Sequence, residues 1–248
     1  MKFKQPLLII SMLLFITSLS CQKDSSTTET QTGTGKGGSL ARFTIVDDYL
    51  YTVDEETLKT FNLADPRKPE LKSAINIGRE IETIYAYGGN LYIGSTQAMY
   101  IYSLQQPATP EFKGEARHLR ACDPVVAQGN YAYVTVRSGA ACGGNTNALL
   151  VYDVSDSSKP LEISRLALKK PHGLGIKNKI LYICDGNNGL VLVDIQQPKS
   201  PSILRLEKGY NFKDCLIHEN TLIAMVAEGM AIYDISIATN PQFIMLAK

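Results

Sequence analysis

A spacing of about 41 residues recurs along most of the chain, and it limits the fold more than any other feature. The second proline of each proline-containing turn falls at Pro69, Pro110, Pro160, Pro201 and Pro241, at intervals of 41, 50, 41 and 40 residues. A second marker, Leu50-Tyr51, Leu91-Tyr92, Ala132-Tyr133, Leu181-Tyr182 and Leu222-Ile223, steps by 41, 41, 49 and 41. Both place one insertion of eight or nine residues inside the third unit. A fixed period of this length marks a repeat architecture, in which each unit is one supersecondary element packed on its neighbours.

Each unit reads as four short strands. An alternating run such as Ala41-Arg42-Phe43-Thr44-Ile45-Val46 is followed by a polar turn (Asp47-Asp48, Gly88-Gly89-Asn90, Gly129-Asn130, Lys177-Asn178, Glu219-Asn220). A Tyr-rich, β-branched strand comes next, then an apolar run ending in a polar residue: Asn62, Ser103, Asp153, Asp194 and Asp234. Those polar residues suit a strand-end turn, because their short side chains bond to nearby backbone. The proline turn and a last strand complete the unit. Four strands per repeat of this length, with no amphipathic helix between them, predict an all-β chain folded as a β-propeller of five four-stranded blades. The blades fall at about 39–78, 79–117, 118–170, 171–210 and 211–248 of a single domain, 39–248. Trp is absent and Tyr reaches 13, which excludes the Trp-Asp blade motif. Residues 39–41 are available for part of a closing strand. The recurrence of Tyr51, Tyr92, Tyr133 and Tyr182 at one repeat position assigns them to blade packing rather than to ligand stacking.

The segments Leu190-Val191-Leu192-Val193-Asp194 and Leu150-Val151-Tyr152-Asp153-Val154-Ser155-Asp156, followed by Pro160, resemble the LVIVD-repeat family. Its unit runs roughly Leu-Val-Ile-Val-Asp-Val-Ser-Asp-Pro-x-x-Pro. The resemblance covers residues 40–248 and is strongest in units three and four. Units one and two depart from it at Phe61-Asn62-Leu63-Ala64-Asp65-Pro66 and Tyr102-Ser103-Leu104. The resemblance implies a bacterial envelope β-propeller, a group mostly without an assigned activity.

The first residues carry an address. Lys2 and Lys4 precede an apolar run from Leu7 to Ile16, and small residues follow, the layout of a secretory signal over residues 1–20. That run is shorter than the roughly 20 residues a spanning helix needs. Ser18-Leu19-Ser20-Cys21 resembles a bacterial lipoprotein cleavage site, which implies lipid attachment at Cys21. Residues 21–38 then read as a lipidated flexible tether, since Gln22 to Gly38 is dominated by Ser, Thr and Gly. The Gly33-Thr34-Gly35-Lys36 piece is not a phosphate loop, because the earlier Gly, a Ser/Thr after Lys36 and a preceding strand are all missing. The expected location is the bacterial envelope, at the outer rather than the inner membrane.

Beyond Cys21 the chain holds Cys122, Cys142, Cys184 and Cys215. Export permits disulfides, with three possible pairings. Cys122 at the start of blade three and Cys142 in the insertion 137–147 come to the same end of a blade, which favours a Cys122–Cys142 bridge. Cys184 and Cys215 suit either buried small hydrophobes or a second bridge.

The formal charge of +1 supplies no basic footprint, so nucleic acid is not expected as a partner. Nucleophile-elbow, His-Glu-x-x-His, EF-hand and dinucleotide motifs are missing, and three histidines leave little for a multi-His metal centre. One constellation follows from superposing the repeats on Ile45, Ala86, Ala127, Ile176 and Ile217. Four residues earlier stand Ala41, Glu82, Asp123, His172 and Lys213, at the starts of the innermost strands, where a propeller gathers them round the channel mouth. Glu82, Asp123, His172 and Lys213 are therefore the candidate ligand site, with Arg120 and Asp214 nearby. The expectation is a lipid-anchored, non-catalytic binding module for an envelope protein or glycan, requiring no cofactor. The competing expectation is a hydrolase or lyase using Glu82, Asp123 and His172 around a divalent cation.

Overall fold

Tight reversals set the strands. In the computed structural model, which describes residues 34–35, 38–117, 124–139 and 145–248, Gly88-Gly89 and Asn178-Lys179 each place two residues at positive φ. This type I′ geometry matches the twist of the flanking strands and closes two-residue hairpins. The polar residue ending each apolar run then caps the next turn. Asn62, Ser103, Asp153, Asp194 and Asp234 each accept from the backbone N–H two residues on, at 2.7–3.2 Å.

A two-residue strand, β1 (Thr34–Gly35), pairs with the inner edge of blade 1, which is β2 (Phe43–Val46), β3 (Tyr49–Val53), β4 (Thr57–Asn62) and β5 (Glu70–Asn76). Blade 2 is β6 (Ile81–Tyr87), β7 (Asn90–Ser95), β8 (Ala98–Ser103) and β9 (Glu111–Arg117). Blade 3 is β10 (Val125–Gln128), β11 (Tyr131–Val136), β12 (Ala148–Asp153) and β13 (Leu161–Ala167). Blade 4 is β14 (Leu174–Lys177), β15 (Ile180–Cys184), β16 (Leu190–Asp194) and β17 (Ser202–Glu207). Blade 5 is β18 (Phe212–His218), β19 (Thr221–Val226), β20 (Gly229–Asp234) and β21 (Gln242–Ala247). Every sheet is an antiparallel meander in chain order. The pairing of third and fourth strands shifts register at the same repeat position in all five blades, at Thr60/Phe61, Ile101/Tyr102, Val151/Tyr152, Leu192/Val193 and Ile232/Tyr233. A bulge there bends the strand and deepens its twist.

The five sheets form the blades of a β-propeller, and no described residue is helical. Its core lies between blades. Tyr51, Leu58, Ile84 and Leu91 join blades 1 and 2, and Tyr92, Ile101, Val134 and Leu150 join blades 2 and 3. Tyr133, Val151, Ile183 and Val191 join blades 3 and 4, while Tyr182, Leu192, Cys215 and Ala224 join blades 4 and 5. The repeat tyrosines lock this packing with their hydroxyls. Tyr51 donates to the Pro107 carbonyl at 2.9 Å and Tyr182 to the Ala238 carbonyl at 2.6 Å, each reaching the turn of the following blade.

No hydrophobic cluster joins blade 5 back to blade 1 among the described residues. All four strands of blade 5 come from its own contiguous segment, so residues 39–41 contribute no strand to it. They cross the mouth instead, with Ser39 bonded to Asp214 and Leu174.

Candidate functional site at the channel mouth

Strand alternation decides which groups share an end. The crossovers into the innermost strands, and the loops joining second and third strands, lie together at the mouth. Among them the chain before blade 1 acts as a strap. The Ala41 N–H donates to the Gly38 carbonyl, and the Ala41 carbonyl accepts from the Ile84 N–H, both at 2.9 Å. Between these anchors Ser39 is buried. Its Oγ donates to Asp214 Oδ1 at 3.2 Å and accepts from the Leu174 N–H at 2.7 Å, tying the strap to blades 4 and 5.

Asp214 is built into this crossing. It also accepts from the Cys215 N–H at 2.8 Å. Burial pushes its carboxyl up from 3.8 to about 6, against the opposing pull of hydrogen bonds from Cys215, Ser39 and Leu40. A Cβ at Gly38 would stand 2.4 Å from one carboxylate oxygen, and one at Gly173 would stand 1.9 Å from the other. Both positions therefore need glycine for close approach. Beneath the strap remains an axial cavity of about 50 Å³, lined by residues that include Tyr85, Val126, Ile176 and Ile217. That is far below the roughly 300 Å³ at the small end of ligand pockets.

Beside the strap stands His172. Its backbone is pinned twice: Thr135 Oγ1 donates to its carbonyl at 2.6 Å, and its N–H donates to the Cys184 carbonyl at 2.7 Å. The Arg137 guanidinium lies against the imidazole, touching Nδ1 and, at 3.2 Å, Nε2. Partial burial first, then the charges of Arg137, Lys213 and Lys170, push the His172 pKa down to about 4, so the ring is neutral at pH 7. Glu82, on β6, offsets part of the desolvation of Arg137. The insertion starts at Arg137, and its stem is stapled by Asn147 Oδ1, which accepts from the N–H and hydroxyl of Ser138 at 2.8 and 3.1 Å.

Arg137 thus touches His172 and feels the charge of Glu82, while Lys213 acts on the His172 ring. Asp123 lies outside the described residues, as do Cys21, Arg120, Cys122 and Cys142. The sequence reading missed the contact of Arg137 with His172 and the clasp of Ser39 on Asp214. The second had a readable trace, an acid beside Lys213 in a strand that otherwise buries apolar residues. Cys184 and Cys215 are both buried and unbridged. Burial and a hydrogen bond with Cys215 hold the Cys184 thiol well above its ordinary pKa, in the unreactive protonated form. No group of three or more His, Cys, Asp or Glu side chains converges as metal ligands among the described residues.

Blades, mouth and strap together define a β-propeller, and solved structures bear this out. A computationally designed protein, Ika8, superposes with a TM-score of 0.61 at 11% identity, covering 82% of this chain and 59% of that one. A functionally unknown protein from Desulfotomaculum acetoxidans gives 0.67 at 8% identity over 86% of this chain and 68% of its own. The periplasmic gluconolactonase of Pseudomonas aeruginosa gives 0.61 at 10% identity, over 81% and 66%. The chain therefore spans less than two thirds of the designed protein and of the gluconolactonase, and at these identities the likeness is one of fold. No curated protein sequence is significantly similar to it. The LVIVD repeat family model matches residues 120–167 and 172–206. The two matched stretches lie in blades 3 and 4, where the chain is similar to the LVIVD repeat.

Proposed function

We propose that this propeller is a lipid-anchored component of the bacterial envelope, held by Cys21 at the outer membrane. It acts without catalysis, binding an envelope protein or glycan through its mouth face. The observation that carries this reading is the strap. Gly38 to Ala41 cross the axis and leave about 50 Å³ beneath them, so among the described residues the cavity under the strap is too small for an ordinary small-molecule ligand. Recognition is left to the outer surface of the mouth, at the end where the sequence carries its one insertion.

The cation-assisted hydrolase or lyase has less support. Three cationic side chains act on His172, a field that opposes a divalent ion beside that ring.

Affinity capture of the tagged full-length protein from its own membrane fraction tests the proposal. A stoichiometric envelope partner should accompany the wild type and be lost when residues 143–146 are replaced by a short Gly-Ser turn, which keeps Ser138 and Cys142, with cooperative unfolding retained. Retention of the same partner by the loop variant would refute a role for this face. Cys21→Ser should move the protein out of the membrane fraction, and unchanged partitioning would remove the lipid anchor from the account.

A further inference from the structure

Blade 5 has one covered face and one bare one, and strand register sorts its side chains between them. Leu216, Ile223, Ile232 and Met245 stand in one row across β18 to β21, and Met225 and Met230 stand in the next row towards the mouth. The opposite face of the same sheet holds Cys215, Ala224, Ala231 and Tyr233, all buried in the junction with blade 4. In blades 1 to 4 the face corresponding to the first is covered by the blade that follows. On blade 5 Met225, Met230 and Met245 are exposed, and Leu216, Ile223 and Ile232 are only partly buried. None of the six carries a charge. Asp214, which pairs with Met225 in the row nearer the mouth, is held under the strap by Ser39.

The outer edge of this blade departs from the others in the same direction. Each of the other outer strands carries ion pairs between its own residues: Lys72–Glu70 on β5, Lys113–Glu111 and Arg117–Glu115 on β9, Arg165–Glu162 on β13 and Arg205–Glu207 on β17. Charge on an exposed edge discourages association with another chain. β21, Gln-Phe-Ile-Met-Leu-Ala, has no charged residue, and its Phe243, Ile244 and Met245 are exposed. The other four blades are internal controls. Loss of edge charge and a bare apolar face coincide on one blade of five.

We propose that this face and edge form the contact of a homodimer, in which blade 5 of one copy packs on blade 5 of a second copy across a two-fold axis. Two-fold pairing lays a patch against itself, and an apolar patch can do so without burying an unpaired charge. Blade 1 is a poorer cover, because at the fifth junction it presents Thr52 and Lys59, the latter bonded to Asp54. The size suffices. Strands about 4.8 Å apart and side-chain rows about 6.7 Å apart give the four-stranded face dimensions of roughly 19 by 20 Å. Two such faces with the β21 edge bury on the order of 1,000 Å² in all, the threshold of a specific interface. The polar row at the far end, His218, Thr221 and Asp234, supplies part of a rim. Dimerisation requires neither the lipid anchor nor a ligand at the mouth.

Sedimentation equilibrium of the purified full-length protein tests this, with a dimer that dissociates in the micromolar range expected. Met230→Lys should weaken dimerisation at least tenfold, since it places a charge in the apolar row. Leu161→Lys, at another exposed position on β13, should leave it unchanged. Both variants should unfold at the wild-type denaturant midpoint when measured at concentrations where the wild type is monomeric, because neither side chain is buried in one copy. In membranes, copies of Met230→Cys should be joined by a bismaleimide that spans about 10 Å, the separation of packed sheets, and copies of Leu161→Cys should not. A wild type that stays monomeric at tens of micromolar overturns the proposal, as does a dimer that survives Met230→Lys. A monomer in which the thiol of Met230→Cys is shielded from alkylation would give the face to blade 1. A monomer that binds neutral vesicles until Met230→Lys is introduced would give it to a lipid surface. Either result also overturns the dimer.

Discussion

Among the described residues, four of the five blade junctions are sealed by apolar clusters, and the fifth, from blade 5 to blade 1, is not. One repeat position shows the contrast. Leu58, Met99, Leu149 and Leu190 are each 0% exposed, whereas Met230, their counterpart on blade 5, is 47% exposed. Val53 and Cys184 are buried, while Met225 at the same place is 55% exposed. The tyrosine that reaches into the following blade from blades 1 and 4 is Ile223 in blade 5, which has no hydroxyl to offer. On the facing side Leu91, Ala132, Leu181 and Leu222 are all 0% exposed, but Leu50 is only half-buried, and Thr52 and Lys59 stand where blade 4 has Ile183 and Val191. A repeat can thus keep its backbone at both ends of the array while its side-chain contract with the next repeat holds only inside it. What crosses the fifth junction is the strap, a polar clasp of Ser39 on Asp214 in place of a hydrophobic seal.

The sharpest way to break this comparison is a pair of truncations at one repeat position. Leu190→Ala opens a cavity in a sealed junction and should cost about 3–4 kcal/mol, whereas Met230→Ala should cost less than about 1 kcal/mol. Equal losses in urea denaturation would mean that the fifth junction is sealed in solution.

The clasp itself gives a pH signature. The folded-state pKa of Asp214 is raised, so its contribution to stability is fully present below about 3.8 and is lost as pH rises through about 6. The difference amounts to at most about 3 kcal/mol. His172 acts in the opposite sense. Its lowered pKa makes stability fall as pH drops from 6.5 towards 4. The two oppose each other across one window, and Asp214→Asn should unmask the histidine, giving a protein less stable at pH 4.5 than at pH 7. A pH profile of Asp214→Asn that matches the wild type would show that the carboxyl is not buried as described.

A smaller effect tests the tyrosine lock. Tyr182→Phe deletes the bond to the Ala238 carbonyl and should cost about 1 kcal/mol. Ile223→Tyr, which restores the repeat residue at the open junction, should change stability by no more than about 0.5 kcal/mol. A gain as large as the Tyr182 loss would indicate that blade 1 lies within reach of that hydroxyl.

Blade number, strand order and turn positions were legible because they depend on local periodicity: alternation buries one face of each strand, and polar residues at fixed offsets cap each turn. The open junction left a fainter trace, the break from Leu-Tyr to Leu222-Ile223, which reads as conservative until the facing surface is known. Superposed repeats brought Glu82, His172 and Lys213 to one end, since register within a repeat is a one-dimensional property. They could not show that Arg137 would lie on His172, because an insertion has no counterpart from which its direction can be inferred.

From sequence alone, then, came the class of fold, the count of blades and the set of residues that share the mouth. Tertiary structure decided that Ser39 crosses the axis to Asp214, that Asp185 and Asp214 are buried while Lys169, Lys170 and Lys213 face outward, and that among the described residues one junction of five lacks a seal. The physical reason is range. Strand alternation and turn capping act over a few residues and repeat with the sequence, whereas burial of a carboxyl and contact across 175 residues depend on how the whole ring brings distant segments together.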